Sequence, residues 1–210
     1  MGLSTALTDP AARLVADTST IINLIATGSA GDIIAALPNR ISVVDVVPAE
    51  LEAGRARGRD AHDRLKELAS SGALDIVELD HNALPFFEEL VIGPAVSTLD
   101  DGEAATIAYA LTHVSTALID ERKATRICRE RFPQLRLATT IDVLIHNHVQ
   151  QRLGQALLTD AVWRALQDGK MGVLSHHVAW VVGLIGDERA AQCPSVPRRA
   201  RTPSTPSAGG

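Results

Sequence analysis

A chain of 210 residues, 46% of them hydrophobic, can bury a core of its own, and its length suggests one domain with appendages. Only 3% is aromatic, so that core must be aliphatic. A net charge of −5 lacks the electropositive footprint usual for nucleic-acid binders, although a carboxylate site counts as negative until a metal loads it.

Residues 1–12 read as an N-terminal arm. Residues 13–17 form the first strand and end in Asp17; Thr18 and Ser19 are the expected caps of a helix over 21–26 that Gly28 stops. A short helix over 32–37 ends at Pro38, and 41–44 is the second strand. Over 46–57 the pattern is helical, with Val47, Glu50, Leu51 and Gly54 on one stripe. Residues 60–70 form another helix. Alternation over 74–79 predicts a half-buried strand, and 82–91 a helix that tolerates Pro85 in its first turn. A helix over 99–113 carries the stripe Ala104, Ile107, Ala108, Leu111. Strand 116–120, helix 121–132 and strand 135–139 follow, then a helix to about residue 153. Alternating strands and helices predict a parallel sheet with crossover helices.

Gly154 punctuates the chain. Residues 155–188 read as a helical extension packed on the domain, with a helix over 156–166 and an apolar segment over 173–185. The Pro-rich residues 189–210 read as a disordered tail. Cys128 and Cys193 have no metal-type spacing, which argues against thiolate zinc chemistry. Neither a signal peptide nor a membrane-length apolar run is visible, so the expectation is a cytoplasmic chain without a membrane partner.

Four acids carry the functional reading: Asp17, Glu50, Glu103 and Asp120. Asp17 and Asp120 end apolar strands, and in open α/β sheets ligands bind outside the carboxyl ends of the strands. Glu50 lies on the apolar side of its helix, where an unsatisfied carboxylate is costly. Glu103 fits a capping box with Asp100 as well as it fits a ligand. Asp120 can equally cap the helix it precedes. Acids gathered without lysines repel one another, and a divalent metal is the simplest neutraliser. His146 and His148, two apart on a helix, diverge, and they and the adjacent His176 and His177 read as separate surface or core histidines.

The ordered set Leu14-Val15-Ala16-Asp17-Thr18-Ser19, Ala49-Glu50-Leu51 with Gly54, Asp101-Gly102-Glu103-Ala104 and Leu118-Ile119-Asp120-Glu121-Arg122 resembles the PIN-domain nucleases over residues 13–154. Within that family it resembles the toxin–antitoxin ribonucleases of the VapC type. Thr139-Thr140-Ile141-Asp142 stands where a more glycine-rich turn is expected of that branch, and the C-terminal extension exceeds a minimal toxin domain.

The resemblance implies a three-layer α/β/α sandwich around a mostly parallel sheet, and a metal-dependent endoribonuclease. Asp17, Glu103 and Asp120 would hold Mg²⁺ or Mn²⁺, and Glu50 would bind the same ion or a second one about 4 Å away. Thr18 or Ser19 would orient the attacking water or a ligand carboxylate. Arg55, Arg57, Arg122 and Arg126, each following a site acid, would contact phosphate. The expected partners are RNA, an antitoxin protein and a second copy of the chain. The competing readings are a non-catalytic PIN-like binding module and a small-substrate phosphohydrolase.

Overall fold

The computed structural model describes residues 7, 9–55 and 60–197, with the backbone alone for Arg55. Five short strands form one parallel sheet: β1 (Leu14–Ala16), β2 (Ile41–Val44), β3 (Asp75–Val77), β4 (Thr116–Leu118) and β5 (Arg136–Ala138). Their order is β3-β2-β1-β4-β5. The chain steps outward from β1 through β2 to β3, then returns to place β4 on the other side of β1. That reversal opens a crevice at the carboxyl ends of β1 and β4, the switch point where such sheets bind ligands.

Alternation along the strands sends apolar side chains to both faces of the sheet. Leu14, Ala16, Ile41, Val43, Leu118 and Ala138 belong to the larger apolar cluster. It is completed by side chains from α1 (Thr18–Ala26), α2 (Ala30–Ala36), α3 (Val46–Arg55), α4 (Ala61–Ser70), α8 (Thr140–Ile145) and α9 (Asn147–Gln167). Ala117 and Ile119 join the second cluster with α5 (Leu84–Val91), α6 (Asp101–Thr112) and α7 (Arg122–Arg131). Both faces are therefore covered, as an all-parallel sheet requires. The result is the expected three-layer α/β sandwich.

Several local expectations change. Helix α1 begins at Thr18, not at residue 21, because extended Asp17 is its N-cap and accepts from the Thr20 N–H at 2.7 Å. Thr18 and Ser19 lie inside the helix. Helix α6 is buried continuously from Gly102 to Ala110, not along one stripe. Its alanines are small enough to let it settle against β1, β2, β4, α3 and α5 together. The expected helix over 46–57 is described only to Arg55, so its last two residues lie outside the described ones.

The appendages are woven into the core. Leu7 of the N-terminal arm is buried in the main cluster, and Asn39 Nδ2 donates to the carbonyls of Asp9 and Ala12 at 2.8 and 2.9 Å. Gly154, at φ 69°, bends α9 without ending the packing: Leu158, Ala161, Val162, Ala165 and Leu166 beyond it join the main cluster. Helix α10 (Val178–Ile185) is shorter than the apolar segment over 173–185 suggested. The tail expected from residue 189 is structured as far as Pro197: α11 (Asp187–Ala191) is followed by Cys193 and Val196, which are buried with Ala190. Small apolar side chains spaced three apart did this among the prolines. Residues 198–210 lie outside the described residues. Among the described residues no single helix is long and apolar enough to cross a membrane.

Candidate active site

Asp17 and Asp120 follow neighbouring strands at the switch point, and the backbone N–H of Asp17 donates to Leu118 O at 3.3 Å. Asp17 is fully buried. The Ser19 hydroxyl donates to its two oxygens at 3.0 and 2.9 Å. Burial, then the charge of Asp120, push the Asp17 carboxyl up to about 7 despite these hydrogen bonds.

Asp17 lines a cavity of about 400 Å³ with Thr18, Ser19, Glu50, Asp100 and Glu103, and among the described residues no lysine or arginine lines it. Glu103 is pushed up to about 9 by burial, then by a hydrogen bond to Glu121 and its charge, then by the charge of Asp17. Both carboxyls therefore resist ionisation, first because they are buried and then because other carboxylates stand close to them. Hard oxygen donors in that condition fit a small divalent cation, whose charge would remove the penalty.

The other two acids are held differently. Glu50 Oε1 accepts from the Gly102 N–H at 2.7 Å, and its Oε2 accepts from the Thr18 hydroxyl. Glu50 thus caps α6 from α3 and ties it to α1. Asp100 makes no side-chain cap hydrogen bond, so the capping box expected with Glu103 does not close. Asp120 accepts from Thr140 N at 2.8 Å, Thr140 Oγ1 at 2.5 Å and Asn23 Nδ2 at 2.6 Å. It does not cap α7, whose N-cap position is Glu121. Burial pushes its carboxyl up, the three hydrogen bonds pull it down, and the charge of Asp142 adds to the rise. Asp120 acts electrostatically on Asp17 but does not line the cavity.

Three features escaped the sequence. Glu121 reaches Glu103. Asp100 lines the cavity. Among the described residues, one ligand atom from each of Asp142, His176 and His177 lies within 4.8 Å of the others, so the two adjacent histidines are not separate residues of surface or core.

Of the expected phosphate contacts, Arg122 donates to Val173 O at 3.0 Å, and Arg126 pairs with Glu130 at 3.1 Å. Both line a groove of about 550 Å³ with Arg129, Ser175 and His176. The side chain of Arg55 and all of Arg57 lie outside the described residues.

The sequence matches a family model described as a PIN domain over residues 13–159. No curated protein and no solved structure was found to match it.

Proposed function

The chain belongs to the PIN-domain family, whose fold is that of nucleases, and from that premise we propose that it is a Mg²⁺- or Mn²⁺-dependent endoribonuclease. The observation that carries the reading is the cavity shared by Asp17 and Glu103, both pushed toward the neutral form by burial and by neighbouring carboxylates. A divalent ion bound there would polarise a phosphodiester and lower the pKa of a water.

The residues divide the remaining work. Asp17 and Glu103 would hold the ion, and Asp120 would back Asp17 from beneath. Ser19 orients the Asp17 carboxylate through both oxygens. Thr18 and Glu50 hold the start of α6, and so set where Glu103 faces. Arg122 and Arg126 would contact the phosphate backbone from their groove. A toxin role in a toxin–antitoxin pair, with an antitoxin partner, is part of the same proposal.

A second reading draws on a specific observation: the oxygens of Glu50 and Asp120 are already engaged in hydrogen bonds that hold the fold. Acids retained for such work would suit a non-catalytic module that binds RNA or protein. One experiment separates the readings. The wild type should cleave single-stranded RNA with Mg²⁺ or Mn²⁺, not with EDTA, and Asp17→Asn should lose the activity. RNA binding without cleavage favours the module; turnover of phosphomonoesters but not RNA favours a small-substrate phosphohydrolase.

A further inference from the structure

Asp142 stands in the first turn of α8, just past the carboxyl end of β5. Its two oxygens have separate tasks. Oδ2 accepts from Thr139 N at 2.9 Å and from Thr139 Oγ1 at 2.8 Å, closing a capping box. Oδ1 faces Nε2 of His177 at 3.1 Å. His177 is buried at 4% exposure and stands immediately before α10; His176 lies beside it with ring centroids 3.9 Å apart. One ligand atom from each of the three residues falls within 4.8 Å of the others.

We propose that Asp142, His176 and His177 form a second cation site, separate from the acidic cavity, for a borderline divalent transition ion of the Zn²⁺ or Co²⁺ class. Two imidazoles and one carboxylate suit such ions, whereas Mg²⁺ prefers oxygen ligands alone. The geometry is compatible. An ion about 2.1 Å from both facing atoms would subtend roughly 95° across the 3.1 Å gap, between octahedral and tetrahedral angles. The carboxylate already has the outer hydrogen bonds that orient a ligand, supplied by Thr139.

Nδ1 of His177 is buried with no hydrogen-bond partner, so the neutral ring carries its proton on Nε2 and donates it to Asp142 Oδ1. An ion would take the place of that proton between the two atoms, releasing it to solvent. His176 is exposed, so solvent can fill the remaining coordination positions, as in zinc sites with three protein ligands. The ligands come from α8 and from the loop before α10, so the ion would pin the C-terminal segment to the end of the sheet.

The test uses the full chain, stripped with chelator and titrated with Co²⁺ and then Zn²⁺. Visible d–d absorption should appear at one equivalent of Co²⁺, be displaced by Zn²⁺, and persist in Asp17→Asn. In His176→Ala the affinity should fall at least tenfold. That side chain is exposed, and its removal leaves the Asp142–His177 hydrogen bond in place, so the variant should fold; His176→Gln is the alternative. Zn²⁺ should raise the melting temperature of the wild type but not of His176→Ala. Absence of the band, a band unaffected by loss of His176, or a band abolished by Asp17→Asn would each overturn the proposal.

Discussion

Asp17→Asn should stabilise the metal-free protein, and by more at high pH than at low. The Asp17 carboxyl moves from an ordinary 3.8 to about 7 on folding. Between these values the folded chain keeps a proton that the unfolded chain has released. Stability therefore falls as pH rises through that window, and the loss is complete above it. The full cost is about 4 kcal/mol, since each pKa unit is worth about 1.4 kcal/mol. At pH 5 less than half of it has been incurred, and at pH 8 nearly all, so the window between them is worth about 2–3 kcal/mol.

Asparagine stays neutral at both pH values and keeps an oxygen for the Thr20 N–H that caps α1. For a chain of this size 1 kcal/mol moves the melting temperature by about 2–4 °C. The lead of Asp17→Asn over the wild type should therefore widen by roughly 5–10 °C from pH 5 to pH 8, measured by circular dichroism in EDTA. A constant difference, or one that shrinks at pH 8, would refute the claim that Asp17 is held against its charge. Added Mg²⁺ or Mn²⁺ should narrow the gap at pH 8 by stabilising only the wild type.

Other perturbations probe the frame around the site. A Cβ at Gly102 would lie 2.6 Å from Thr18 Oγ1 and press on the Glu50 carboxylate, so Gly102→Ala should cost about 1–3 kcal/mol in urea unfolding; a neutral outcome would mean that the Glu50 cap is dispensable. Replacing Arg122 and Arg126 by alanine should weaken RNA binding across sequences and lessen its salt dependence by a slope of about 1–2; an unchanged slope would place the RNA elsewhere. Truncation after Asp187 removes the buried Ala190, Cys193 and Val196 and should lower the melting temperature by several degrees, whereas an unchanged value would show that their burial contributes nothing.

The ends of β1 and β4 were legible because an apolar triplet followed by an acid is a local signal, and the sheet order then places Asp17 beside Asp120. The all-round burial of α6 was not. Its alanines fit a stripe and a fully packed helix alike, and only its neighbours decide. Two segments share the capping-box spacing, Asp100 to Glu103 and Thr139 to Asp142. The second closes, whereas at the first Gly102 donates to Glu50, a residue 52 positions earlier. The partnership of Asp142 with His177 spans 35 positions, so it exists only once α10 has packed. Buried residues beyond 189 were masked by a composition that reads as tail.

The double engagement of Glu50 has a consequence for metal stoichiometry. An ion that recruited this carboxylate would have to take it from the Gly102 N–H and the Thr18 hydroxyl, leaving the first turn of α6 uncapped. Losing a cap costs about 0.5–2 kcal/mol, which would weaken such an ion roughly 2- to 30-fold. Ions would then load in sequence, the tighter one on Asp17 and Glu103 with the cap intact, the weaker one only by loosening the helix that carries Glu103.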